Sequence, residues 1–100
     1  MNFVDFKKVT IVCDDALEFH LIDDLKKCGV KGYTIEEAKG FSSHGFRDNE
    51  LDGRNIKIET IVDSALSEKI FKMLEEKYFQ KLVIIAYVSD VKVLRKHKFQ

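Results

Sequence analysis

The sequence predicts an α+β domain of the ferredoxin-like kind, two split βαβ units in the order βαββαβ with one long loop between the second and third strands. Three observations carry that expectation. Hydrophobic periodicity switches between strand and helix in the order strand, helix, strand, loop, strand, helix, strand, which is the order of two βαβ halves. Only two helical stripes are present, enough to cover one face of the resulting sheet and leave the other bare. The last apolar run, Leu82–Val88, puts Val83, Ile85 and Tyr87 on one side and Ile84, Ala86 and Val88 on the other, so both of its faces call for burial. Burial of the bare sheet face in an oligomer satisfies the third observation.

Each element has its own local reason. Lys8–Cys13 places Val9, Ile11 and Val12 among small and polar residues and reads as a strand. Asp14 and Asp15 follow as helix N-caps, since a short carboxylate accepts from the free N–H groups of a first turn. Leu17, Leu21, Leu25 and Cys28 recur at helical spacing with Ile22 widening the stripe, and Gly29 supplies a C-cap. His20 borders this stripe and is expected to be partly buried packing. Tyr33–Ala38 reads as a second strand. Lys39–Arg54 holds Gly40, Gly45 and Gly53 without sustained periodicity and reads as a long loop. Asn55–Val62 alternates Ile56, Ile58 and Val62 with Lys57, Glu59 and Ile61, the clearest strand in the chain. Asp63 or Ser64 caps a second helix carrying Leu66, Ile70, Met73, Leu74 and Tyr78. After Leu82–Val88 comes Val91–Phe99, a basic tail with Lys92, Arg95, Lys96, His97 and Lys98.

Composition narrows the function classes. The 100 residues are expected to form one domain, 1–100, with a loop at about 39–54. Seventeen basic residues balance seventeen acidic ones, which argues against a protein held on nucleic acid by bulk charge. No apolar run reaches membrane-spanning length, and Asp5, Lys7 and Lys8 interrupt any signal-peptide pattern. Cys13 and Cys28 lack metal-ligand or redox spacing, so a cytoplasmic protein with reduced thiols is expected. Neither Walker A nor G-x-G-x-x-G is present, and no histidine has a nucleophile at a familiar spacing. No enzymatic constellation emerges.

The long loop and the tail carry the chemistry. A loop of this length inside a small domain is functional more often than idle. Lys39, Ser42, Ser43, His44, Arg47 and Arg54, interleaved with glycines, form a workable anion cradle, because glycine frees backbone N–H groups for close approach. The same loop carries Phe41, Phe46 and Leu51, which suit packing on a ligand or partner better than a solvated connector. Arg95 and His97 fall on one side of an extended segment, where guanidinium offers bidentate donors to phosphate.

With these segments in view the chain resembles the PII signalling proteins. Gly29–Thr34 (GVKGYT) and Ile35–Phe41 (IEEAKGF) look like the family's helix-to-strand turn and loop base. Ile56–Glu59 (IKIE) matches the strand after its T-loop, and Ser89–Arg95 (SDVKVLR) the segment bearing basic phosphate contacts. The resemblance implies a homotrimer of ferredoxin-like subunits that binds adenine nucleotides between neighbours and signals through the T-loop. It places Gly32, Thr34, Glu59, Thr60 and Ile61 around the adenine. Gly40, Phe41, Ser42 and Ser43 fall near the phosphates, with Arg95 as a phosphate contact, Lys92 nearby, and His97 where the family often has arginine. His44, Phe46, Arg47, Leu51 and Arg54 would form the partner-binding part of the loop.

Departures from the pattern refine the expectation. Tyr78–Lys81 runs straight into Leu82, so the family's glycine- and lysine-containing loop before the last strand is missing, and with it donors for the outer phosphates. No tyrosine lies between Glu36 and Asn55 to be uridylylated. The glutamine and lysine used for magnesium and 2-oxoglutarate are replaced by His44 and Asn55. The short loop and the ending resemble PII-like proteins linked to bicarbonate transport and carboxysomes. That branch implies AMP, ADP or cyclic AMP as ligand, ATP less strongly, and bicarbonate as a co-ligand. A membrane transporter for bicarbonate or another anion is the implied partner, with the protein peripheral at the inner face of the membrane. Two other classes compete on the same fold. An RNA-binding module would need aromatics on Val9–Val12 and Ile56–Val62, and there are none. A metal-binding protein would rest on His44 and His97 without a C-x-x-C pair.

Overall fold

The computed structural model describes residues 1–40, 54–80 and 82–94. Strand β1 spans Val4–Asp14, helix α1 Glu18–Cys28, β2 Thr34–Ala38, β3 Asn55–Val62, α2 Ser64–Lys77 and β4 Ile85–Val93. The four strands form an antiparallel sheet in the order β2-β3-β1-β4. β1 and β2 are separated by β3, and β3 and β4 by β1, which is the split βαβ arrangement of a ferredoxin-like fold.

Alternation along the strands sorts the side chains into two faces. Val9, Ile11 and Cys13 of β1 pair with Thr60, Ile58 and Ile56 of β3 and join Leu21, Leu25, Ile70 and Leu74 of the helices in the core. On the other face lie Lys8, Thr10 and Val12, with Lys57, Glu59 and Ile61 across from them. Ile84 and Ala86 pack on the core, while Ile85 and Tyr87 stay 44% and 45% exposed on the open face. Val88, opposite Val9 on the helix side, is also about half exposed at the sheet edge.

Caps define the helix ends. Asp63 accepts from the Leu66 N–H at 2.8 Å and starts α2. Gly29 ends α1 at φ 117°, and its N–H donates to the Leu25 and Lys26 carbonyls. The start of α1 differs from expectation. Asp14 caps a short 3-10 turn, Asp15–Leu17, accepting from the Ala16 N–H at 2.9 Å, and α1 itself begins after Leu17 with no side-chain cap. His20 is exposed on α1, because Leu21, Ile22 and Leu25 define the buried stripe and His20 falls outside it.

The largest correction concerns the chain ends. β1 begins at Val4, four residues before the predicted strand, and gives β4 a partner well beyond Val88. β4 therefore runs Ile85–Val93 instead of Leu82–Val88, and the predicted tail begins inside a strand. Polar cross-strand pairs extend this ribbon: Lys92 donates to Asp5 at 2.7 Å, and Lys7 pairs with Asp90. The Lys92 hydrogen bond and charge hold the Asp5 carboxyl below its ordinary value, and Asp5 in turn raises the Lys92 ammonium.

At the far end of the helices Tyr78, 5% exposed, donates through its hydroxyl to Asp24 Oδ2 at 2.5 Å, and Lys77 reaches Oδ1 at 3.2 Å. Burial pushes the Asp24 carboxyl up, but these donors outweigh it and the net displacement is downward. Burial, then the Asp24 hydrogen bond, raises the Tyr78 phenol. This bond clamps α2 to α1 just before the short connection to β4. Burial likewise pushes the Cys13 thiol up to about 12, which makes it an inert core residue.

Candidate functional site

A cleft of about 460 Å³ opens where the turn after α1 meets the end of β3 and the start of α2. Antiparallel pairing of β2 with β3 sets Thr34 opposite Glu59, so the beginning of one strand lies beside the end of the other. Gly32, Thr34, Glu59, Thr60 and Ile61, drawn from two segments of the sequence, all line it. Lys8, Lys31, Tyr33 and Leu66 line it too.

Two polar arrangements organise the cleft. Thr60 Oγ1 donates to the Gly32 carbonyl at 2.6 Å and ties β3 to the turn. Glu59 faces Lys8 at 3.8 Å and Lys57 at 4.0 Å, and Lys57 also meets Glu36 at 3.6 Å. The carboxylate of Glu59 thus belongs both to the cleft and to a charged ladder across the open sheet face.

The glycines here differ in kind. Gly29 adopts a positive φ that a side chain would strain, so the helix end demands it. Gly32 does not: its φ is outside that region, and an added Cβ would meet nothing within 4 Å. Nothing in the chain's own fold requires glycine at 32.

The remaining expected site residues lie elsewhere. Gly40 is exposed just beyond β2, at the opposite end of that strand from Thr34. Arg54 sits at the loop base, where its guanidinium donates to Glu37 at 3.1 Å and its carbonyl accepts from the Asp15 N–H at 2.6 Å. Lys92 lies in the β1–β4 ribbon with Asp5 and does not line the cleft. Phe41, Ser42, Ser43, His44, Phe46, Arg47, Leu51, Arg95 and His97 fall outside the described residues. Among the described residues no group of three His, Cys, Asp or Glu side chains is placed to hold a metal ion.

A family model for the nitrogen regulatory protein P-II matches residues 6–98. The chain belongs to the PII family. Its fold superimposes on a PII-like signalling protein from Thermus thermophilus with a TM-score of 0.86 and 42% identity, covering 100% of both chains. It also superimposes on the PII-like protein CPII from Thiomonas intermedia. The form bound to ADP, AMP and acetate gives a TM-score of 0.87 at 31% identity, covering 99% of this chain and 98% of that one. The form bound to ADP and bicarbonate gives 0.88 at 29%, with the same coverage. No curated protein matches the chain by sequence. This PII protein is therefore a PII-like regulatory protein, and CPII, its solved relative, binds ADP, AMP and bicarbonate. No helix among its described residues is long and apolar enough to cross a membrane.

Of the cleft residues absent from the sequence reading, Lys31 and Tyr33 sit inside the GVKGYT motif that marked the turn. Lys8 and Leu66 had no local signal, because only strand register and helix packing bring them to the turn.

Proposed function

We propose that this PII protein is a sensor that binds AMP, ADP or cyclic AMP, without turning them over, in clefts between subunits of a homotrimer. The observation that carries the reading is the gathering of Gly32, Thr34, Glu59, Thr60 and Ile61 around one cleft. In this reading the adenine rests against Gly32, Thr34, Glu59 and Ile61, with buried Thr60 behind the turn and the bare face of Gly32 allowing close approach. ADP, AMP and bicarbonate in the relative give the ligand class, with bicarbonate as a co-ligand and ATP bound more weakly. Just past α2 the Leu82 N–H donates to the Tyr78 carbonyl at 3.0 Å, and the short connection to β4 leaves little backbone for outer phosphates.

The two-subunit character follows from β2. Thr34 in the cleft and Ala38 at the loop base are about 13 Å apart along the strand at roughly 3.3 Å per residue. Gly40 lies farther still, so Gly40, Phe41, Ser42 and Ser43 would reach the phosphates of a nucleotide seated on a neighbouring subunit's cleft. Arg95, Lys92 and His97 complete the basic surroundings. The apolar open-face residues Ile85 and Tyr87 are the contact through which subunits pack. His44, Phe46, Arg47, Leu51 and Arg54 belong to the T-loop, which docks on a membrane transporter for bicarbonate or another anion. The protein is then cytoplasmic and peripheral at the membrane through that partner. Calorimetric titration with AMP, ADP, ATP and cyclic AMP, with and without bicarbonate, tests the reading alongside a mass measurement in solution. A monomeric mass, or no heat with any nucleotide at millimolar concentration, refutes it.

A further inference from the structure

We infer that Thr60 is a positioning residue for the nucleotide cleft, acting through the carbonyl of Gly32 and not by touching the ligand. The inference rests on the nucleotide reading above. Thr60 is 3% exposed, and its hydroxyl proton is committed to Gly32 at 2.6 Å. The turn it reaches has two differently held halves. Its first half is fixed by the helix cap: Gly29 and Val30 donate back into α1, Val30 to the Leu25 carbonyl at 3.1 Å, and the Val30 side chain is buried. Strand pairing resumes only at Thr34, opposite Glu59. Between these anchors Lys31, Gly32 and Tyr33 are exposed, and all three line the cleft. The Thr60 bond falls in the middle of that stretch.

A glycine in the middle of an exposed turn has wide conformational freedom, and freedom lost on binding weakens affinity. A hydrogen bond from the rigid centre of the sheet removes that freedom before the ligand arrives. Because Gly32 is exposed, its carbonyl turns to water if the donor is lost, so the effect falls on turn order more than on folding. The same bond holds Tyr33 at the cleft edge, since it lies between Gly32 and the paired Thr34.

Thr60→Val keeps the side chain's shape and removes the donor, while Thr60→Ser keeps the donor. Two readouts are compared: ADP affinity by calorimetry, and backbone order parameters of Lys31–Tyr33 without ligand. Thr60→Val is expected to weaken ADP about tenfold, the equivalent of losing roughly 1.4 kcal/mol. Order parameters in the turn should fall from about 0.85 toward 0.6 or lower. Thr60→Ser should stay near the unsubstituted protein in both. Unchanged ADP affinity in Thr60→Val overturns the inference, and so does equal loss in both variants with an unchanged turn. If the unsubstituted protein binds no adenine nucleotide, the nucleotide reading itself fails. The order parameters then decide alone: a turn unchanged in Thr60→Val refutes the tether, and a loosened one upholds it.

Discussion

Replacing Gly32 with alanine separates what the fold needs from what a ligand needs. Within the chain the substitution is free of conflict, since the backbone there is not in the positive-φ region and the new methyl meets no atom within 4 Å. Alanine also restricts the unfolded chain, so stability should rise by about 0.4–1 kcal/mol. Under the proposed function the same methyl stands where the adenine would approach. Overpacking of a close contact costs about 1–3 kcal/mol, which corresponds to a loss of affinity of about 5- to 150-fold. Urea unfolding and calorimetric titration with ADP on the same preparations read the two effects separately. The expected pattern is an equal or higher unfolding midpoint with a clearly weaker ADP signal. Unchanged ADP affinity would remove Gly32 from the ligand contact, and a lowered midpoint would show that the fold itself requires this glycine.

Gly29→Ala should behave oppositely: at φ 117° a side chain is strained, so unfolding stability should drop by about 1–2 kcal/mol. A midpoint unchanged from the parent would contradict the left-handed cap. Tyr78→Phe removes the hydroxyl donated to Asp24, a bond to a charged acceptor worth about 1.5–3 kcal/mol. The Asp24 carboxyl is displaced downward in the fold, so its contribution is full above the unfolded value of about 3.9 and is lost as pH falls through the lower folded value. The stability gap between parent and Tyr78→Phe should therefore be widest near neutrality and narrow below about pH 4; a gap that persists in acid would remove Asp24 from the effect. Thr10, fully buried on the open face between Glu59 and Tyr87 in register, has a hydroxyl without a hydrogen-bond partner among the described residues. Thr10→Val should raise stability by about 1 kcal/mol or more, and a loss in urea unfolding would show that the hydroxyl is paired in the assembled protein.

Much of the fold was legible because its signals are local. The period-two alternation of Asn55–Val62 set that strand's limits as they stand, and Asp63 and Gly29 cap the helices where the sequence placed them. The apolar run before Ser89 also anticipated that Ile85 and Tyr87 would remain uncovered in a single chain. The failures share a cause: they depend on partners distant in sequence. Val91–Val93 reads as the start of a basic tail until β1, extended back to Val4, offers it a pairing strand. Lys92 looks like a free cation until that register sets it against Asp5. His20 shows the limit of a stripe drawn from spacing, since one position of rotation separates a buried face from an exposed one. At the cleft, the turn motif was visible, but Thr60 as its tether was not, because the bond spans two elements and a hydroxyl inside a strand has no signature.

In the proposed function β2 links the ligand to the loop. Its first residue, Thr34, stands in the cleft, and its last, Ala38, pairs with Asn55 at the root of the T-loop, next to the Arg54–Glu37 contact. Both ends are fixed to the same neighbour, β3, so the strand carries position from one end to the other. A nucleotide held between subunits then meets the cleft end of one β2 and the loop end of another. Regulation requires only that the nucleotide bind the two loop states with different affinity, and coupling of about 1–3 kcal/mol gives a 5- to 150-fold change in partner affinity. Linkage makes this reciprocal: a partner that favours one loop state must tighten the nucleotide by the same factor. Glu59 adds a second constraint, because the carboxylate that lines the cleft also meets Lys8 and Lys57 on the open face. Under the proposed function, a ligand that draws Glu59 toward itself would weaken that ladder, which ties nucleotide occupancy to the charge pairing of the open face.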